Sequence, residues 1–100
     1  MFNTIGIITK PQDITSEKTA RELGAFLKEQ GVLLAEDEKS IKKSADLIIV
    51  VGGDGSILST ARTYVDSNIP ILGINLGRLG FLADVSVESM MTVITDILSG

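Results

Sequence analysis

Short apolar segments alternate with segments of helical periodicity along this chain. Residues 16–30 and 56–66 each place their apolar side chains on one helical face, and residues 86–98 follow that spacing most closely. The charged stretch Glu36–Lys43 is interpreted as a solvated connector. Four runs rich in apolar residues predict buried strands: Thr4–Thr9, Val32–Ala35, Leu47–Val51 and Pro70–Ile74.

The predicted helices carry their own end signals. Thr15 or Ser16 is available to cap the first helix, and Lys28 followed by Gly31 is typical of a helix C-terminus. In the helix predicted over 86–98, Met90 and Met91 belong to an apolar stripe with helical spacing. Such a stripe indicates core packing, or a face covered by a partner.

Continuous apolar strands separated by helices predict an α/β fold, a parallel sheet covered by helices on both faces. Ligands bind such sheets outside the carboxyl ends of the strands. Three segments reach that edge, namely Lys10–Pro11, 52–55 and 75–81. We therefore expect the two glycine-rich segments among them to share one rim.

The segment Gly52–Ser56 reads Gly-Gly-Asp-Gly-Ser and follows the most apolar run in the chain. Glycine lacks a Cβ and tolerates positive φ, which lets backbone N–H groups crowd around a phosphate. Neither standard phosphate fingerprint fits, because Ser56 replaces the lysine of a Walker A loop and Leu58 replaces the last glycine of a dinucleotide motif. A hairpin turn is disfavoured by the helical spacing of 56–66. A purely structural strand-to-helix turn remains an alternative.

Composition narrows the chemistry that this loop can perform. The 100 residues are 44% hydrophobic, which predicts one small domain with a core. The chain has no cysteine and no histidine, so disulfides, thiolate metal sites and the commonest general base are excluded. A proton acceptor must then be a carboxylate, or a lysine whose pKa is strongly lowered, and Asp54 is the best candidate.

Charge and hydropathy also limit the partners. The net charge is −4 and most basic residues are scattered, which disfavours a nucleic-acid interface. No apolar run approaches the ~20 residues that span a bilayer, and the start of the chain lacks the features of a signal peptide. We expect a cytoplasmic protein without a membrane partner.

The second glycine-rich segment, Gly73–Leu82, has three glycines in eight residues and an aromatic side chain directly after the last one. Phe81 either plugs the core or contacts a flat ligand, and both interpretations stay open. Lys10 and Arg78 lie on the predicted rim. A solvated loop charge and a phosphate contact are the two interpretations of each.

Together the two segments resemble the amino-terminal domain of NAD kinases. A Gly-Gly-Asp-Gly loop also occurs in lipid kinases and phosphofructokinases, but the pattern Asn-Leu-Gly-x-Leu-Gly-Phe-Leu over 75–82 is characteristic of NAD kinases. The resemblance covers residues 1–100 and implies a Rossmann-like, phosphofructokinase-like nucleotide-binding domain. In the family a carboxy-terminal β-rich domain follows and supplies an Asn-Glu or Asn-Asp motif. That motif is absent here, so we expect a fragment that is inactive alone.

The resemblance also implies a reaction and its residues. Asp54 would accept the proton of the adenosine ribose 2′-hydroxyl of NAD while that oxygen attacks the γ-phosphoryl of ATP, or polyphosphate, to give NADP. Phe81 would pack against the dinucleotide, and Gly55 would let backbone approach it. Mg²⁺ or another divalent metal would come with ATP, with no metal ligand assigned in this chain, and a homo-oligomer is expected. The residues implied in substrate binding are Gly53, Asp54, Gly55, Ser56, Leu58, Asn75, Gly80 and Phe81.

Two positions depart from the family pattern, because Ser56 replaces a commoner threonine and Ser59 stands where many members have a basic residue. Two alternative functions remain. One is a lipid kinase of the diacylglycerol or sphingosine type, or a sugar kinase, with the same loop. The other is a non-catalytic nucleotide-binding domain.

Overall fold

A computed structural model of the chain describes residues 2–10, 12–76, 85–86 and 90–99. Within these ranges strands and helices alternate along the chain, as the apolar pattern predicts. Their bounds are β1 (Thr4–Thr9), α1 (Ile14–Glu29), β2 (Leu33–Ala35), α2 (Glu38–Ser44), β3 (Leu47–Gly52), α3 (Asp54–Thr63), β4 (Ile71–Asn75), β5 (Val85–Ser86) and α4 (Met90–Leu98).

The strands form one parallel sheet in the order β2-β1-β3-β4-β5. The predicted α/β fold with a parallel sheet flanked by helices is therefore confirmed. The chain first moves outward from β1 to β2, then returns to the other side of β1 and continues through β3, β4 and β5. The order thus reverses between β1 and β3. The two-residue strand β5 was not predicted.

Strand β3 is the centre of the core, since every one of its six residues is buried. On one face Ile49 and Val51 pack with Leu23 and Leu27 of α1, in a cluster that also contains Ile94 of α4. On the other face lie Ile48, Ile41 of α2 and Tyr64, which directly follows α3. The domain therefore has three layers, with helices on both faces of the sheet.

The prediction of Thr15 or Ser16 as the cap of the first helix is wrong. Asp13 is the cap, and its Oδ1 accepts hydrogen bonds from the backbone N–H groups of Thr15 at 3.1 Å and Ser16 at 3.3 Å. The side chain of Ser16 is fully buried instead. Its Oγ donates to the carbonyl of Val51 at 2.7 Å and accepts from the N–H of Lys10 at 3.1 Å. This hydroxyl therefore links the ends of β3 and β1.

The interpretation of Glu36–Lys43 as a connector is also wrong, because helix α2 begins at Glu38. Asp37 caps it by accepting a hydrogen bond from the N–H of Ser40 at 2.7 Å. Its buried residue is Ile41, which packs so closely on Gly6 that a Cβ there would lie 2.7 Å from the Ile41 Cγ1. One apolar side chain in seven residues is too sparse to produce a helical periodicity.

The remaining boundaries differ less. Helix α3 spans 54–63 rather than 56–66, and α4 is described from Met90 rather than from 86, with residues 87–89 outside the described ranges. None of the helices in the described part of the chain is long and apolar enough to cross a membrane.

Asp46 ties the amino ends of β1 and β3 together and predicts a pH dependence of stability. Its Oδ2 accepts hydrogen bonds from the N–H groups of Asn3 at 2.7 Å and Thr4 at 3.2 Å, and these bonds hold the pKa of Asp46 below its ordinary value. The hydrogen bond from Ser40 lowers the pKa of Asp37 in the same way. A carboxylate with a lowered native pKa stabilises the fold above its unfolded pKa, and this contribution is lost as the pH falls through the native pKa.

We therefore expect the thermal unfolding midpoint to fall on acidification below about pH 4. The fall should be shallower in Asp46→Asn and shallower still when Asp37→Asn is added. Thermal melts followed by circular dichroism between pH 7 and pH 2.5 would measure it. Equal slopes in the wild type and the double variant would contradict this account.

Candidate active site at the carboxyl edge of the sheet

The carboxyl ends of β1, β3 and β4 meet along one edge of the sheet. Thr9 pairs with Val51, and Gly52 pairs with Asn75. The N–H of Leu76 then donates to the carbonyl of Gly52 at 3.0 Å. Residues 52–55 and the start of 75–81 thus share one rim, as predicted. The rim includes the point between β1 and β3 where the strand order reverses, which is where ligands bind doubly wound sheets.

The glycine loop is a direct transition from strand to helix. Gly53 is the N-cap of α3 in an extended conformation, and Asp54 and Gly55 are its first helical residues. No side chain caps this helix, whereas Asp13 and Asp37 cap α1 and α2. The first-turn N–H groups of α3 therefore have no side-chain cap, and the positive end of the helix dipole favours an anion there.

The glycines of this loop matter because they have no side chain, not because they adopt an unusual backbone conformation. The tolerance of glycine for positive φ is not used at Gly53, where φ is −103°, and the described glycine with positive φ is Gly31. A Cβ on Gly52 would lie 2.9 Å from both Cβ and Oγ of Ser56. A Cβ on Gly53 or Gly55 would meet nothing within 4 Å. Gly52 therefore admits the first turn of α3, and the other two leave backbone open to an approaching group.

Two clefts border Gly53. One, of about 480 Å³, lies between the end of β1 and α3 and is lined by Lys10, Gly55 and Ser56 among others. The second, of about 350 Å³, lies beside the start of α1 and is lined by residues that include Asp13 and Lys10. Gly53 and Lys10 border both clefts. This arrangement lets two separate groups approach the same loop.

Asp54 and Asn75 are in direct contact, although they are 21 residues apart in the chain. The Nδ2 of Asn75 donates to Oδ1 of Asp54 at 3.0 Å. Asn75 is only 3% exposed, and Asp54 is half-buried. The sequence places both residues on the rim but does not predict the hydrogen bond, because a side-chain contact across the ends of two strands leaves no periodic signal.

The other predicted site residues are distributed unevenly. Gly53, Gly55 and Ser56 surround Asp54 on the loop and line the larger cleft. Leu58 is 44% exposed and lines neither cleft. Gly80 and Phe81, together with Arg78, lie outside the described residues. Sequence reasoning missed Ser16 as part of this edge, since a serine in a first helical turn is an ordinary capping residue.

Comparisons with known proteins agree with this geometry. The family model described as ATP-NAD kinase N-terminal domain matches residues 33–100, a range that includes the glycine loop and Asn75. The chain belongs to the NAD kinase family.

Relatives named NAD kinase match almost the whole chain. The NAD kinase of Teredinibacter turnerae is 41% identical over 115 residues, covering 99% of this chain and 39% of the relative. That of Hydrogenovibrio crunogenus is 39% identical over 117 residues, covering 99% of this chain and 40% of the relative. This member of the NAD kinase family thus spans about two fifths of the length of these curated relatives.

A solved structure shares the fold. The crystal structure of yeast NADH kinase complexed with NADH superposes with a TM-score of 0.83 at 22% identity, covering 97% of this chain and 36% of that one. The likeness shows that the NAD kinase family chain has the same architecture as that part of the yeast enzyme.

The glycine geometry predicts opposite effects at two positions of the loop. Gly52→Ala should destabilise the fold by about 1–3 kcal/mol, because the new Cβ forces α3 away from β3. Gly55→Ala should be neutral or stabilising by up to about 1 kcal/mol, because alanine is the better helix former and its Cβ enters open space. Urea unfolding of the two variants would measure both effects, each serving as the control for the other. Equal losses of stability would contradict the steric argument.

Proposed function

We propose that the full-length protein is an NAD kinase, which transfers the γ-phosphoryl of ATP, or a phosphoryl of polyphosphate, to the 2′-hydroxyl of the adenosine ribose of NAD and forms NADP. The observation that carries the proposal is the placement of Asp54. This carboxylate stands at the start of α3, directly after Gly53, which borders two clefts, and on a loop whose glycines leave the backbone open. It does so in a chain of the NAD kinase family.

Asp54 acts as the proton acceptor in this proposal. The ribose 2′-oxygen attacks the γ-phosphorus, the bond from that phosphorus to the bridging oxygen breaks, and ADP leaves with the bonding electrons. The hydroxyl proton passes to the Asp54 carboxylate and then to solvent. Because the transition state of phosphoryl transfer is loose, one oriented carboxylate and well-placed phosphates supply most of what the protein must contribute.

The phosphates of the substrates would lie against the glycine loop. The uncapped start of α3 offers backbone N–H groups, and Gly53 and Gly55 have no Cβ to keep a phosphate away. Lys10 borders both clefts and can balance negative charge on either side. Two phosphate-bearing groups can therefore approach the loop that carries Asp54.

The proposal also includes a divalent metal, which would arrive bound to the phosphoryl donor, ATP or polyphosphate. The described ranges contain no group of three or more His, Cys, Asp or Glu side chains placed to hold a metal ion. We assign no metal ligand in this chain, because Mg²⁺ usually keeps several waters and binds through substrate phosphates. When bound, the ion would neutralise charge that develops on the transferred group.

The proposal extends to the whole protein. We infer that this chain carries part of the site, that Gly80 and Phe81 contribute to dinucleotide binding, and that the isolated chain is inactive or nearly so. The protein is proposed to be cytoplasmic and homo-oligomeric.

Replacing the base tests the mechanism. Asp54→Asn in the full-length protein should lower kcat for NADP formation by about 10²- to 10⁴-fold, because the amide cannot accept the proton. The fold and the affinity for NAD should be retained, as measured by circular dichroism and calorimetry. Asp66→Asn, an equivalent change at an exposed position just after α3, is the control and should keep wild-type turnover. Unimpaired turnover by Asp54→Asn would refute the role of Asp54 as base.

A substrate panel separates the proposal from its alternatives. The full-length protein is offered NAD, diacylglycerol and fructose 6-phosphate side by side, with Mg²⁺ and either ATP or polyphosphate. NAD should be the acceptor that is phosphorylated, and omission of the divalent metal should abolish the reaction. Turnover of either other acceptor instead of NAD would favour the lipid or sugar kinase.

The same preparation addresses the non-catalytic alternative. Binding of ATP and NAD without turnover of any acceptor would indicate a nucleotide-binding domain only. NADP formation by residues 1–100 alone would contradict the view that this chain carries only part of the site.

A further inference from the structure

Asn75 lies where a buried side chain can reach the proposed base. It is the last residue of β4 and stands opposite Gly52 in the register of β3 and β4. The loop turns into α3 after Gly53, and this turn brings Asp54 back over the end of β4. The Nδ2 of Asn75 and the Oδ1 of Asp54 are then 3.0 Å apart.

Burial makes this contact different from a surface hydrogen bond. Asn75 is 3% exposed, so its carboxamide is held by the surrounding protein and has few alternative orientations. A hydrogen bond to an ionised carboxylate is shorter and stronger than one between neutral groups. Asp54, by contrast, is half-buried at the start of a helix, where its side chain would otherwise have several rotamers open to it.

The hydrogen bond also gives the two carboxylate oxygens of Asp54 different roles. With Oδ1 held by the Asn75 amide, rotation of the carboxylate is restricted and Oδ2 is left for proton transfer. A base must be oriented within hydrogen-bond reach of the proton it accepts, and small errors of position reduce the rate strongly. Direct contact between Asn75 and a substrate would require the end of β4 to open, because so little of the side chain is accessible.

We propose that Asn75 is a positioning residue, which orients Asp54 for proton transfer and acts on the reaction through that carboxylate rather than through contact with substrate. This inference rests on the proposed function, since it takes Asp54 as the base. It differs from the sequence-based expectation, in which Asn75 binds substrate.

The test uses two variants of the full-length protein. Asn75→Leu removes the amide donor and keeps the approximate size of the side chain, so the base is misoriented. Asn75→Asp places a second carboxyl group beside Asp54, so the two groups share a proton and the base is no longer free to accept one. For both, kcat should fall on the order of 10- to 100-fold while KM for NAD changes less than about 2-fold, because the substrate contacts stay in place. A rise in KM with unchanged kcat, or wild-type kinetics, would overturn the proposal.

Asp46→Asn is the matched control for a general loss of stability. It weakens hydrogen bonds between a carboxylate and its donors, as the Asn75 variants do, but at the opposite edge of the sheet. It should lower the unfolding midpoint and leave kcat unchanged. A similar loss of kcat in Asp46→Asn would indicate that the Asn75 variants report stability alone and would overturn the proposal.

A double-mutant cycle tests whether Asn75 acts through Asp54. In the Asp54→Asn background the base is already absent, so Asn75→Leu should cause no further loss of residual turnover. An additional loss as large as in the wild-type background would show that Asn75 acts independently of Asp54 and would overturn the inference.

Crystal structures of the wild type and Asn75→Leu decide the matter even if NAD is not the substrate. Absence of NADP formation by the wild type would refute the proposed function. The Asp54 side chain in the two structures would then still answer the question about Asn75. The inference is supported if the Asp54 side chain in the variant is displaced or occupies more than one rotamer. It is overturned if Asp54 keeps the single, fully ordered rotamer of the wild type.

Discussion

The burial of β3 is the constraint on which the rest of this domain depends. All six of its residues are buried, and both of its edges are paired, to β1 on one side and β4 on the other. A strand in this position has no freedom to slide, because a shift by one residue would exchange the side chains that face α1 and α4 with those that face α2 and α3. The end of β3 is therefore fixed in space, and the glycine loop begins from that end.

Close packing of α3 against the end of β3 fixes the position of the site as well. Helix α3 starts two residues after β3, and only the missing Cβ of Gly52 allows Ser56 to approach so closely. The carboxylate of Asp54 is therefore placed by the strand behind it and by the helix it begins. The amide of Asn75, at the end of the adjacent strand, holds it from the side.

The sequence was sufficient for the elements with many apolar residues and for the edge where they end. The run from Leu47 to Val51 could hardly be anything other than a central strand, and its position predicted the rim. Helix α2 was missed because Ile41 is its sole buried residue. The cap of α1 was misassigned because Thr15 and Ser16, both of capping residue types, lie directly beyond the true cap Asp13. Asp54 was identified from a motif, whereas its partner in the fold depends on which strand lies beside β3. The pairing of β3 with β4 is a property of the tertiary structure, and no short stretch of sequence reveals it.

The buried hydroxyl of Ser16 has a consequence for how ligands enter. The hydroxyl bonds both the carbonyl of Val51 in β3 and the N–H of Lys10, the first residue after β1. It therefore links the two strands between which the strand order reverses. These bonds add to the pairing of Thr9 with Val51, so the ends of β1 and β3 are held together before any ligand arrives. A ligand that binds at this edge would meet a preformed wall and would lose little free energy in ordering it.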